Sequence, residues 1–296
     1  IPVRDRIIFT EKTIDSLLLH STIFKSIDIY IFDNLSNLDN NRFNTFQNLL
    51  KSNKIKYYSY DTSTSLNDCF GKAVIFKRWV NMMKDIYNVN NLKNKEKLNN
   101  ENRYYLLLDN DMIVGPKWDE IFISSIEKIP PQENLIHYLV PWPGGIPGGS
   151  RQQARNYTIT NKFNGKNINL HAAAFGGGSG FWFFNYKMLT MLEWDYNDLS
   201  QTYKCFKKHD TTTWSKIRNK IGKDASLKYV CGVETENNEP IVLHLGGKIG
   251  SICNSETSLG KKYNLDMLTF LENEKTFEKL SPTEIFEKFK LSCNAW

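Results

Sequence analysis

The sequence predicts an α/β fold: an open, mostly parallel sheet flanked by helices, followed by a helical C-terminal extension. Three observations predict it. From Thr10 to Tyr60, helix-like and strand-like stretches alternate, as they do where crossover helices join parallel strands. Tyr104-Tyr105-Leu106-Leu107-Leu108 is the most apolar short run in the chain and stops abruptly at Asp109-Asn110-Asp111, the pattern of a strand covered on both faces that ends at a sheet edge. Ser281-Pro282-Thr283-Glu284 near the C-terminus combines an N-cap serine, proline at the first helical position and a glutamate three residues on, which together make a capping box.

Composition sets the outer limits. The chain has 296 residues, 41 % hydrophobic and 24 % charged, a globular balance that excludes wholesale disorder. No uninterrupted apolar stretch approaches the ~20 residues of a membrane-spanning helix. Cys69, Cys205, Cys231, Cys253 and Cys293 form no C-x-x-C pair, which argues against a disulfide scaffold or zinc ribbon and fits a reducing compartment. The net charge of +6 permits anionic ligands without specifying nucleic acid. No basic region followed by an apolar one opens the chain, so no signal peptide is visible and a cytoplasmic location is expected. The start at Ile1 reads as the end of a strand, with earlier residues of the translated product expected to be missing.

The elements follow in order. Residues from about Thr10 to Phe24 place Ile14, Leu17 and Leu18 on one helical face, with Thr10 or Thr13 as the expected N-cap. Ile27 to Phe32 is a β-rich run ending in Asp33-Asn34-Leu35-Ser36. A helix over about Asn40 to Leu50, a strand over Lys54 to Tyr60 and a helix over Gly71 to Tyr87 come next. Asn88 to Asn102 has the composition of an exposed excursion. Beyond the apolar run, Pro141 to Ser150 reads as a long loop. The glycine-rich stretch from His171 to Gly180 leads into Phe181-Trp182-Phe183-Phe184 and a helix around Tyr186 to Leu192. His209-Asp210 opens another helix carrying Trp214, Ile217 and Ile221, and Ile241 to Gly247 is a last strand running into a glycine turn.

Several of these places carry candidate chemistry. Asp109 and Asp111 project from the carboxyl end of a strand, where open α/β sheets hold their ligands. Two carboxylates so close repel unless a cation lies between them, and Mg²⁺ or Mn²⁺ is the usual answer; the alternative is a solvent-facing loop cap. Asp33 takes an equivalent edge position, suited either to a base or ribose hydroxyl or to an Asx turn with Ser36. Asp210 suits either a general base or an N-cap. His244 is either a third metal ligand or a histidine bonded to backbone. Gly176-Gly177-Gly178-Ser179-Gly180 has Phe181 where the dinucleotide fingerprint and the serine elbow both need glycine. What remains is close backbone approach to a ligand, or a bulged strand.

In their joint order, over residues 1 to 250, these pieces resemble the GT-A-fold glycosyltransferases, particularly the family-2-like group that uses sugar nucleotides. Pro2 and Arg6 stand where that family often has Pro and Arg. Phe32-Asp33-Asn34-Leu35-Ser36 is similar to its nucleoside-contacting strand end, and Asp109-Asn110-Asp111 to its Asp-x-Asp metal motif. Phe175 to Phe181 is similar to its glycine-rich acceptor-side segment. His209-Asp210, followed by Arg218 and Gly222, is similar to the start of its catalytic helix, and Leu243-His244-Leu245-Gly246-Gly247 to its late His before glycines. His209 departs from the acidic residue usual before the catalytic Asp, and Pro141 to Ser150 has no counterpart.

The resemblance implies a metal-dependent transfer of sugar from a nucleoside-diphosphate sugar, UDP-sugar favoured, to an acceptor hydroxyl with inversion. Asp210 would be the catalytic base. Pro2, Arg6, Asp33, Lys72, Asp109, Asn110, Gly177 and Gly178 would bind the donor, and Asp109, Asp111 and His244 would hold Mn²⁺ or Mg²⁺. Trp142, Trp182 and Arg218 would lie on the acceptor side. The implied organisation is a glycosyltransferase domain over residues 1–252, with a nucleotide-sugar half at 1–115 and an acceptor half at 116–252, then the helical extension at 253–296. The acceptor implied is a glycan or glycoconjugate. The basic residues Arg151, Arg155, Lys162 and Lys166 beside Tyr157 and Phe163 also permit a nucleic-acid acceptor, and a protein acceptor stays open. The competing classes are a sugar nucleotidylyltransferase, which should carry a glycine-rich basic loop that Ile1 to Lys12 lacks, and a non-catalytic carbohydrate-binding protein.

Overall fold

The computed structural model describes residues 1–3, 6–24, 26–34, 40–61, 75, 78–86, 104–127, 138–140, 155–163, 166–173, 181–185, 230–231, 233–235, 241–246 and 257–292. It is a mixed α/β structure with a small parallel sheet flanked by helices. That sheet has the order β1-β2-β3, from Pro2–Val3, Tyr30–Asn34 and Tyr57–Asp61. The helices α1 (Ile7–Leu19) and α2 (Asn40–Lys51) supply its crossovers. Phe46 of α2 and Ile14 and Leu17 of α1 are buried with Val3 and Ile31 in one apolar cluster.

Beyond a helical stretch α3 at residues 78–86, β4 (Tyr104–Leu108) turns through Asp109-Asn110-Asp111 into β5 (Met112–Val114), and α4 (Trp118–Glu127) follows. The apolar run thus forms the expected strand. β4 lies at the end of a second sheet of order β10-β6-β9-β4, with β6 at Tyr138–Val140, β9 at Phe181–Asn185 and β10 at Val230–Cys231. β7 (Arg155–Phe163) and β8 (Lys166–Ala173) form a hairpin joined by β11 (Val233–Thr235). β12 (Val242–His244) pairs with β5.

The expected mostly parallel sheet needs correction for these strands. Parallel pairing is confined to β1-β2-β3 and β10-β6, and the other described pairings are antiparallel. The described antiparallel pairings are β4–β9, β6–β9, β7–β8, β11–β8 and β12–β5.

The first helix also differs from expectation. It begins at Ile7, with Arg6 as its N-cap. Thr10 and Thr13 are fully buried inside it and cap nothing. Its inward polar groups stitch it to the elements beneath. Thr10 Oγ1 accepts a hydrogen bond from the Asn110 side-chain amide at 3.2 Å, and Ser16 Oγ accepts one from the Val114 N–H at 3.3 Å. The Leu17 carbonyl accepts one from the Trp118 indole at 3.2 Å.

The C-terminal helices α5 (Ser258–Asn273) and α6 (Pro282–Ser292) bury Tyr263, Met267, Ile285 and Phe289 against Phe9 of α1, Ile113 of β5 and Leu243. The expected capping box forms. The Ser281 N–H donates to Glu284 Oε2 at 2.7 Å and the Glu284 N–H to Ser281 Oγ at 3.3 Å. Among the described residues no helix is long and apolar enough to cross a membrane.

Candidate functional site

Three sequence-distant residues meet at the β4–β5 turn. Arg6 sits between β1 and α1 in the left-handed region, at φ 56° and ψ 48°, a conformation that costs an ordinary side chain about 1 kcal/mol or more. From there its Nη1 reaches Asp111 Oδ2 at 3.0 Å. His244, the last residue of β12, places Nε2 3.2 Å from each carboxylate oxygen of Asp111. The antiparallel register brings them together: His244 lies opposite Met112, and the Leu245 N–H donates to the Asp111 carbonyl at 2.8 Å.

Gly246 closes the remaining side. A Cβ there would come within 2.5 Å of Asp111 Oδ2 and 3.1 Å of Arg6 Nη1, so only glycine lets the turn lie this close to the carboxylate. The Asp111 side chain is 6 % exposed, against 18 % for Arg6 and 23 % for His244. Asp111 is thus the most buried of the three.

The charges here are interdependent. Burial alone would push His244 down, but the attraction and hydrogen bond of Asp111, with the added charge of Asp109, outweigh burial and the repulsion of Arg6. The imidazole is held above its ordinary value of 6.5. A protonated His244 beside Arg6 gives two cations on one buried carboxylate, a set able to receive an anionic group on its exposed rim.

Asp33 is the next-to-last residue of β2, fully buried, opposite Val3 of β1 and Tyr60 of β3. The Tyr58 hydroxyl donates to its Oδ2 at 3.2 Å. Pro2 forms β1 opposite Phe32, and Asn110 is tied to α1 through Thr10. Trp182 lies in β9 opposite Leu107. Lys72, Trp142, Gly177, Gly178, Asp210 and Arg218 lie outside the described residues, as do the expected loop at Pro141 to Ser150 and the helices at Tyr186 and His209.

Asp109, Asp111 and His244 are hard oxygen and imidazole donors of the kind Mn²⁺ or Mg²⁺ accepts. As they stand they are engaged otherwise: Asp111 Oδ2 faces Arg6, and among the described residues no group of three or more His, Cys, Asp or Glu is arranged to hold a metal ion. A cation at Asp111 would have to displace the Arg6 guanidinium.

Sequence reasoning passed over Asp119. This residue, in the first turn of α4, is fully buried. Its Oδ2 accepts from Ser21 Oγ at 2.6 Å and from the N–H groups of Thr22 at 2.8 Å and Ile23 at 2.9 Å. Its Oδ1 accepts from Thr22 Oγ1 at 3.1 Å and the Glu120 N–H at 2.9 Å. Burial would raise its pKa, but the Ser21, Ile23, Thr22 and Glu120 hydrogen bonds hold it below the ordinary 3.8. The pair Asp119-Glu120 at a helix start was the available signal, and it reads as ordinary helix-dipole complement.

No protein-family model matches the chain, and no curated protein matches it either.

Proposed function

We propose that the chain is a glycosyltransferase of the GT-A type that takes a sugar from a nucleoside-diphosphate sugar, UDP-sugar favoured, and passes it to an acceptor hydroxyl, with a glycan or glycoconjugate as the acceptor. One observation carries the reading. Arg6, Asp111 and His244, separated by 105 and 133 residues from the aspartate, converge in one partly open ion-paired cluster. Each comes from a different motif of the resemblance, and their meeting at one turn supports reading the motifs as one site.

The chain's own residues then have definable work. The Arg6 guanidinium has five N–H donors in a fixed fork, so it can hold a diphosphate oxygen while keeping Asp111. A protonated His244 adds a second cation on the same rim. Both would stabilise charge growing on the leaving diphosphate, the main electrostatic demand of the step. Asp33 would take the nucleoside. Asp210, as the resemblance implies, would accept the acceptor's proton during a single inverting displacement. If Asp109, Asp111 and His244 instead held a divalent cation, His244 would be neutral and Arg6 released from Asp111 to the diphosphate, and the cation would supply the neutralisation in place of the protonated imidazole.

The test is a panel of nucleoside-diphosphate sugars with MnCl₂, scored by release of the nucleoside diphosphate, with glycans and single-stranded nucleic acid as acceptors. The expected result is turnover of one donor, lost in Asp111→Asn. If no donor turns over and neither UDP nor GDP binds, the reading is abandoned.

A further inference from the structure

We infer that Tyr263, on the C-terminal helix α5, is a positioning residue for the Arg6–Asp111–His244 cluster, which makes α5 part of the site's machinery. Its functional consequence rests on the reading above; its structural core does not.

The Tyr263 side chain is fully buried, and its ring packs edge-on against Phe289 at 5.5 Å. Phenylalanine would serve for packing alone. The hydroxyl, however, donates to the Leu245 carbonyl at 2.7 Å, while the N–H of the same Leu245 donates to the Asp111 carbonyl at 2.8 Å. Leu245 is thus held from both sides, by the turn that bears the carboxylate and by α5.

The residues on either side of Leu245 are the two that touch that carboxylate. His244 contacts it through Nε2, and Gly246 lies so near that a methyl group would overlap Oδ2. A shift of a few tenths of an ångström at Leu245 moves both. Because the interior is close-packed, a small shift is transmitted along the strand end rather than absorbed. The Tyr263 hydroxyl therefore ties the end of β12 to α5, and with it the two residues that face the carboxylate.

The experiment compares Tyr263→Phe with Phe289→Leu. The first removes the hydroxyl and keeps the ring; the second loosens the packing of that ring and keeps the hydroxyl. If Phe289→Leu does not fold, the milder Met267→Leu, from the same apolar cluster, replaces it. Amide hydrogen exchange is followed at Leu245, and the affinity for UDP with MnCl₂ is measured.

Tyr263→Phe is expected to speed Leu245 exchange about tenfold or more and to weaken UDP binding about tenfold, with a smaller fall in thermal midpoint than the packing variant shows. The packing variant is expected to lower the midpoint while leaving both site readouts within about twofold of wild type. The inference is overturned if Tyr263→Phe leaves Leu245 exchange unchanged, or if both variants move the site in proportion to their loss of stability. If wild-type protein binds no UDP or GDP, the proposed function falls, and the exchange comparison alone decides this inference.

Discussion

Two buried aspartates in this chain are partnered in opposite ways. Asp119 accepts hydrogen bonds from neutral donors, chiefly the backbone N–H groups of Thr22, Ile23 and Glu120 with the Ser21 hydroxyl. Apart from Glu120, which is in α4 itself, those donors belong to the segment between α1 and β2. Asp111 faces the ends of two longer side chains, Arg6 and His244, both of them partly exposed. Donors of the first kind make a fixed joint. Donors of the second kind can turn toward an incoming anion or withdraw before a cation, so the cluster is suited to exchange of partners.

The largest effect expected is at the fixed joint. Asp119→Ala strands several backbone donors at once and should cost at least about 3 kcal/mol in denaturant unfolding, with Asp119→Asn losing less. A loss below about 1 kcal/mol for the alanine variant would mean that these hydrogen bonds do not fix the segment. Next comes Gly246→Ala, whose methyl group must push the Asp111 carboxylate aside. A cost of about 1–3 kcal/mol is expected, together with loss of nucleotide binding by titration calorimetry. If affinity is retained, the turn is not the wall of a binding site.

The two joints should also fail at opposite ends of the pH scale. The folded-state pKa of Asp119 is depressed, so its contribution is present above the unfolded value and disappears as pH falls through the folded one. The stability gap between wild type and Asp119→Asn should therefore shrink below about pH 4. The pKa of His244 is raised, so its contribution is complete below its ordinary value and is lost as pH rises through the folded one. The gap to His244→Gln should shrink on the alkaline side. Melting curves across pH check both signs.

The smallest effect separates backbone from side chain at Arg6. Both Arg6→Ala and Arg6→Gly remove the ion pair, but glycine accepts the left-handed geometry. The glycine variant should be the more stable by about 1 kcal/mol. Equal stability would mean that the turn relaxes once the guanidinium is gone.

Local chemistry was the part legible in the sequence. The capping box at Ser281 and Glu284 and the apolar strand Tyr104–Leu108 depend on neighbours a few residues away, and both form as expected. Thr10 and Thr13 resemble caps in the sequence because a threonine near a helix start commonly is one. Their burial depends on β4, β5 and α4 packing beneath α1, which no local window contains. The aspartates and histidine of the candidate site stood out by type and by position at strand ends. That Arg6 binds Asp111 depends on a left-handed turn that arginine seldom adopts and no motif announces. Tyr263 belongs to no motif in the sequence; its place in the core and its hydroxyl's bond to Leu245 are set by the packing of α5 on β12.

The inward hydroxyls and carbonyl of α1 carry one more implication. A slide of a helix by one residue along its axis is a displacement of about 1.5 Å. The links from Thr10, Ser16 and Leu17 to Asn110, Val114 and Trp118 would all break together on such a slide. They act as a ruler laid along the helix. What the ruler measures out is the location of its first residue's neighbour, Arg6, and hence whether a guanidinium arrives at the carboxylate or falls short of it.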